Sequence, residues 1–292
     1  MNKLTRFELK KIYKSKTAII AIVILIAATI FIIAAAISSA YSYDQNGIEL
    51  GGFAAISREK KLNHELAGEV TLELISNTIA LKQKIMSEKA NLTEKGEMSN
   101  QAFSKYWYKF MDINMLIGTA YAPKDENNDF YAIDKLTPED GKQFYNNRIK
   151  KVNEFLNMDY SYGNYTTAEK EYFLNMNEKV DTPFYYDYNL GWKNLLSNLS
   201  GLCLVLAFVM CICIAPVFAN EYQTRTDSVI LSSKYGRSKV FTSKIKSSFI
   251  FSTVLYLGSI LIFTLIMLGI YGFGGWNCNI QINDFIAPYN VN

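Results

Sequence analysis

The chain alternates long apolar runs with densely charged ones. Formally charged side chains are absent from residues 17–43, 194–220 and 247–283. A helix rises about 1.5 Å per residue and needs about 20 apolar residues to cross a hydrocarbon layer of roughly 30 Å. Each stretch is long enough, so the pattern predicts three transmembrane helices, over residues 18–40, 194–219 and 247–271. The tripeptide Ser38-Ser39-Ala40 resembles a signal-peptidase site. The unbroken run from Ala18 to Ile37 is longer than the about 7–15 residues of a signal peptide's apolar core, so the first stretch is read as an uncleaved helix.

Between the first two apolar stretches, residues 41–193 show helical spacing. Leu62, Leu66, Val70, Leu74, Leu81 and Ile85 recur every three or four positions, predicting one helix from Ser57 to about Ala90. A second runs from Ser99 to Gly118 through Phe103, Tyr106, Phe110 and Met115. Thr137-Pro138-Glu139-Asp140 reads as a cap, a first-turn proline and acids suited to the helix dipole, opening a helix through Phe144, Ile149, Val152 and Phe155. Thr166-Thr167-Ala168-Glu169 is a capping box for another. Residues 122–135 and 158–165 read as loops, and the glycine-rich 47–52 as a flexible exit from the first span. The fold expected is an all-α membrane protein, three transmembrane helices with a mostly helical extracytoplasmic domain between the first and second, small strands being possible.

Charge orients this layout. Residues 1–17 hold six basic side chains against one acid, a net of +5, and residues 220–246 hold six against two, a net of +4. Residues 41–190 hold 17 basic and 23 acidic side chains, a net of −6. The positive-inside rule places the first two segments in the cytoplasm and the third outside. The whole-chain charge of +3 therefore conceals a polarity across the membrane and is no sign of nucleic-acid binding. Phe184-Tyr185-Tyr186-Asp187-Tyr188, Trp192, Tyr271 and Trp276 fit an interfacial aromatic belt, with residues 184–188 equally readable as core of the outer domain. Residues 272–292 follow the third span as a polar, extracytoplasmic segment that looks like the approach to a fourth.

Sites of chemistry are not apparent. The one histidine, His64, sits on the polar flank of a helix, and a single imidazole builds neither a histidine-based triad nor a multi-histidine zinc site. Cys203, Cys211 and Cys213 read as small packing residues of the second span, and Cys278 stands apart. No phosphate-binding G-x-x-x-x-G-K-[ST] loop occurs, and Glu139 and Asp140 are accounted for by a helix start. The expectation is a chain without a catalytic, metal or cofactor site of its own.

The stretch from Ala215 to Lys239 resembles the signature of type-2 ATP-binding cassette (ABC) exporter permeases. In that family the second span ends in an F-x-x-E-Y run; a short amphipathic segment with paired small residues follows, then an arginine and a lysine lead into the third span. Phe218, Glu221, Tyr222, Leu231, Ser232, Ser233, Arg237 and Lys244 match. The family's Gly-Thr is Arg225-Thr226 here, and no proline follows Ser233. The basic arm with Leu4, Phe7, Ile12 and Tyr13 is similar to the family's amphipathic N-terminal helix, and many Gram-positive members carry a large domain between spans one and two. The motif covers about 25 residues, the layout the whole chain.

The resemblance implies a cell-membrane exporter subunit that couples to a separate cytosolic ATPase carrying ATP-Mg, through Glu221, Tyr222, Arg225, Ser232 and Arg237. It implies a second permease copy or partner permease, contact with membrane lipid, no nucleic acid, and peptide or antimicrobial export as the preferred activity. Family members usually have six spans, so a chain with three is expected to be truncated or half of a split permease. The alternative is a membrane sensor or scaffold that binds a ligand through its outer helices.

Overall fold

A computed structural model describes residues 2–124 and 126–289. It divides into a span unit, residues up to Ser39 with Gly191–Gly272, and a polar unit, Ala40–Leu190 with the segment from Phe273 onward. The protein is mostly helical, and among the described residues three helices are long and apolar enough to cross a membrane. They begin two to nine residues before the predicted starts and end within four residues of the predicted ends: Lys16–Ser38, Leu190–Gln223 and Ser238–Tyr271.

The chain opens with α1 (Lys3–Lys14) and α2 (Lys16–Ser38), separated at Ser15, whose hydroxyl caps α2 by accepting from Ala18 N at 3.1 Å. Helix α2 is built mainly from Ala and Ile and buries Ala18, Ala21, Leu25, Ile33 and Ala36, while Ile19, Ile20, Val23, Ile24, Ile30 and Phe31 are exposed. Such a surface is matched to lipid, not water.

The polar unit begins with a hairpin, β1 (Tyr41–Tyr43) against β2 (Glu49–Gly51). The Asp44 carboxylate closes its turn, accepting from Asn46 N and Ile48 N at 2.8 Å each, which holds that acid below the usual carboxylate range, the Ile48 N–H being the larger cause. Gly47 takes φ +84° in the same turn. Residues 47–52 are therefore an ordered hairpin leading into α3 (Gly52–Glu65), where the glycines suggested a flexible exit.

The helix predicted from 57 to 90 is broken. After α3 the chain turns through Gly68 at φ +145°, forms β3 (Gly68–Glu69), and restarts as α4 (Leu72–Ser87) with Thr71 as N-cap. Leu62, Val70 and Ile85 are buried as the spacing required, but α4 buries Ile75 and Ile79 most deeply. The next helical stretch is irregular: α5 (Asn100–Ala102) passes through a π-turn and a 3-10 turn into α6 (Met111–Ala120). Its inner face carries Trp107, Ile113 and Ile117, whereas Tyr106 and Met115 of the predicted face are exposed.

Helix α7 (Phe144–Leu156) starts later than Thr137-Pro138 suggested, because Asp140–Gln143 is a 3-10 turn. The Asp140 carboxylate accepts from Thr137 N and Oγ1, at 2.7 and 2.8 Å. Helix α8 (Thr167–Asn177) has the predicted capping box, Thr166 with Glu169. Strand β4 (Tyr185–Tyr186) then pairs with β3. Phe184, Tyr186 and Tyr188 are buried, so residues 184–188 belong to the core, not to an aromatic belt. His64, read as solvated, lies 3.3 Å from the Asp187 carboxylate, though it remains largely exposed.

The segment after the third span packs into the polar unit. Asn279 N donates to Tyr185 O, and Tyr185 N donates to Asn279 Oδ1 at 2.6 Å. Cys278 is buried, and Asp187 N donates to its sulfur at 3.1 Å. Phe285 inserts between Phe144 and Phe184, with ring centroids 5.1 and 6.2 Å away. Burying such a ring contributes about 1.5–3 kcal/mol. The Arg148 side chain, 1% exposed, donates to the carbonyls of Phe285 (3.0 Å) and Ala287 (2.7 Å) and to Asn177 Oδ1 (2.6 Å). Gln281 Nε2 donates to the Ala287 and Tyr289 carbonyls from the other side.

The span unit resumes with α9 (Leu190–Ile214), α10 (Pro216–Gln223), α11 (Asp227–Ser232) and α12 (Phe241–Tyr271). Helix α9 buries Leu195, Leu202, Leu206, Val209 and Cys213, one stripe at helical spacing. At its start Gly191 allows close approach: a Cβ there would lie 2.2 Å from Gly272 O. Tyr271, proposed for the belt, is buried, and its hydroxyl donates to Ala36 O at 2.7 Å, joining the ends of α12 and α2.

Candidate functional site: the segment between the second and third spans

Pro216 is the first residue of α10, where a missing N–H is tolerated, so the second long helix bends at Ala215 and continues instead of stopping. It ends at Gln223. The Thr224 hydroxyl donates to Asn220 O at 2.8 Å, and Thr226 N donates to Glu221 O at 3.0 Å. Arg225 turns the chain with φ +53°, a left-handed conformation that disfavours side-chain-bearing residues. Helix α11 then exposes Val229 and Leu231, and Tyr235 follows, also exposed. Gly236 folds the segment back: a Cβ there would sit 1.6 Å from Ile230 O. A π-turn, Gly236–Val240, feeds α12.

Glu221 anchors this excursion. Its Oε1 lies 2.6 Å from Lys244 Nζ in the first turns of α12 and 3.5 Å from Lys11 Nζ in α1. Lys11 is also 3.1 Å from the Glu8 carboxylate. Lys244 is 2% exposed, donates to Val217 O at 2.6 Å, and lies 5.1 Å over the Phe218 ring. Phe218 in turn meets Phe241 at 5.7 Å. Four charges of alternating sign thus join α1, α10 and α12, and each has an opposite partner that offsets its desolvation. A cavity of about 50 Å³ between Lys11, Ile12, Pro216, Val217 and Glu221 leaves space for water beside the carboxylate.

Helix α1 presents Thr5, Glu8 and Ile12 to α12 on one face. Its outer side exposes Lys3, Arg6, Phe7, Lys10 and Tyr13.

Of the five coupling residues that the resemblance implied, Glu221 is the one whose described side chain enters this ionic cluster. Tyr222 is exposed, Arg225 serves the turn, and the Ser232 hydroxyl donates to Val229 O at 3.0 Å at the end of α11. Arg237 belongs to the π-turn, and its side chain lies outside the described residues. Sequence reasoning missed Lys11 and Glu8 as members and took Lys244 only as a motif match. A signal was present: the arm's one acid stands between Thr5 and Ile12, on the stripe that packs inward.

No protein-family model, curated protein or solved structure matches this chain. The segment's possible roles therefore rest on its geometry: a short exposed helix with apolar side chains, tied through one carboxylate to the basic arm and to the third span.

Proposed function

We propose that the chain is the membrane-spanning permease subunit of an ATP-binding cassette exporter of the type-2 class, working in the cell membrane with a separate ATPase. The arm and residues 220–246 face the cytoplasm, in keeping with their net charges of +5 and +4, and the polar unit lies outside. The observation that carries the reading is the Glu221 cluster beside α11. A partner docking on the exposed Val229, Leu231 and Tyr235 pushes on α11 and α10, and the ion pairs from Glu221 deliver that displacement to α12 through Lys244 and to α1 through Lys11.

In this reading ATP-Mg is bound and hydrolysed on the partner, and the chain's own residues transmit force without chemistry. A second permease copy or partner permease completes the pathway. A peptide or antimicrobial is the preferred substrate, supported by the family resemblance alone.

The test is recovery of a nucleotide-binding protein with the gently solubilised full chain, comparing wild type with V229D/L231D. Both positions are exposed, so the variant spares the packed interior. Recovery by wild type and loss in the variant supports a coupled permease. If wild type recovers no ATPase, the exporter reading fails and the sensor or scaffold alternative takes its place.

A further inference from the structure

Beside the seam between α1 and α12 lies an open groove of about 470 Å³, lined by Asn2, the N-cap of α1, by Thr5 of that helix, and by Ile245, Lys246, Phe249 and Ile250 of α12. Its α12 wall is apolar apart from Lys246, and Phe249 is 72% exposed. On a helix long enough to span a bilayer, a wall this apolar and this exposed is matched to hydrocarbon. Lys246, exposed among those residues, has an aliphatic stem that lies along an apolar surface while its ammonium reaches the interface.

Lys246 is the cation in the groove's lining, and two more stand next to its lining residues in sequence. Lys3 and Arg6 are exposed in the same turns of α1 as Asn2 and Thr5. The acid of the arm does not neutralise them, since Glu8 is buried and held by Lys11 at 3.1 Å. An apolar wall with a cation in its lining and two more in the adjoining residues of the arm complements an amphiphile with a negative headgroup. We propose that this groove is a binding site for an anionic phospholipid, its acyl chain along Ile245, Phe249 and Ile250 and its phosphate at Lys246, with Lys3 and Arg6 around it. A zwitterionic lipid gains the apolar contacts but little of the charge. The site rests on the membrane reading of α12 and is independent of any ATPase.

Each basic residue near an anionic lipid surface changes affinity about fivefold. The test is native mass spectrometry of the full chain released from mild detergent with equal amounts of palmitoyl-oleoyl phosphatidylglycerol and phosphatidylcholine. Wild type is expected to retain phosphatidylglycerol selectively, and R6Q/K246Q to lower that retention by roughly 25-fold, two charges at about fivefold each. Phosphatidylcholine retention stays unchanged. K89Q/K95Q removes the same charge from the polar unit and leaves the selectivity intact, and circular dichroism checks that both variants keep their helix content. Equal retention of the two lipids by wild type, or equal loss in both variants, overturns the proposal. So does a change from dimer to monomer mass in R6Q/K246Q without loss of lipid, since a second copy of the chain then covers the groove.

Discussion

Lys244 in the span unit and Arg148 in the polar unit are the two most completely buried basic side chains among the described residues, and the fold satisfies them differently. Lys244 is answered by the Glu221 carboxylate of another helix, with a third helix joined through Lys11. Arg148 is held by neutral acceptors, two backbone carbonyls and the Asn177 amide oxygen, and its guanidinium lies 5.4 Å over the Phe184 ring. A point charge on a flexible stem keeps its ion pair through small displacements, whereas a planar fork aimed at fixed carbonyls does not. The first arrangement suits a joint between helices. The second suits a clamp, and it fastens the segment after the third span to a residue 137 positions earlier in the chain.

The largest expected effect comes from breaking the clamp. Arg148→Ala leaves the Phe285 carbonyl buried without its donor and the Ala287 carbonyl with Gln281 Nε2 alone, and frees the segment that places Phe285 in the core. The polar unit should lose about 4 kcal/mol. Cys278, buried in that segment, reports it: alkylation of Cys278 accelerates in Arg148→Ala, and Arg148→Lys recovers less than half of the protection, because one ammonium cannot reach three acceptors in fork geometry. Unchanged Cys278 labelling would place the segment's hold in Phe285 and Gln281 instead.

The joint in the span unit should respond next. Glu221→Gln leaves Lys244 buried without a counter-charge, which costs about 3 kcal/mol. Replacing both partners, Glu221→Gln with Lys244→Met, should recover most of this, since the double variant leaves no buried unpaired charge. The measurement is a double-mutant cycle on thermal unfolding in detergent, and Cys278 protection is expected to stay at the wild-type level throughout. A double variant no better than the single one would mean that Val217 O and the Phe218 ring set the place of Lys244.

The same contrast separates what the sequence disclosed from what it withheld. The spans were legible because a bilayer demands a fixed length of apolar chain. The α8 cap was legible because its partners are three residues apart. The inward position of Arg148 was not: it lies on the buried face with Phe144, Val152 and Leu156, where a helical pattern reads a charged residue as solvated. Two of its partners lie 137 and 139 residues away, beyond two spans. The break at Gly68 was hidden by an apolar spacing that continues across it, Leu66 to Val70 to Leu74. In the candidate site the motif pointed to Glu221, but Lys11 lies some 210 residues earlier and only the packing of α1 on α12 brings it near.

Alkaline pH should loosen the clamped unit in a way the sign of its titrations fixes. Burial pushes Tyr121 and Tyr145 up to about 12 and the Cys278 thiol up to about 11, from ordinary values of 10 and 9. Tyr108 and Tyr186 move in the same direction through burial. A folded-state pKa above the unfolded one contributes stability that is whole below the unfolded pKa and lost as pH rises through the folded one. Burial lowers Arg148 to about 10, which acts oppositely over the same range, one group against five. The polar unit should therefore weaken from about pH 9 to 12, with tyrosinate absorbance lagging behind that of free tyrosine. Tyr145→Phe removes a donor to Val70 O (2.6 Å) and an acceptor for Phe184 N (3.0 Å), costs about 1 kcal/mol near neutral pH, and makes the alkaline loss shallower.

The smallest effect should come from the most local device. Thr166 Oγ1 accepts from Glu169 N at 3.3 Å, and the Glu169 carboxylate accepts from Thr166 N and Oγ1 at 2.8 Å each, which keeps that acid below the usual carboxylate range. All of this is exposed, so Thr166→Ala should cost about 1 kcal/mol or less and lower helix ellipticity slightly. Its value lies in where α8 ends: Asn177, the last residue of that helix, is the side chain that accepts from Arg148 at 2.6 Å. If fraying at the Thr166 end stays local, Cys278 protection in Thr166→Ala matches wild type, and the clamp depends only on the helix's final turn. If Thr166→Ala exposes Cys278 as Arg148→Ala does, the eleven residues of α8 and the clamp open as one cooperative element, and the cap supports the fastening of the distant segment.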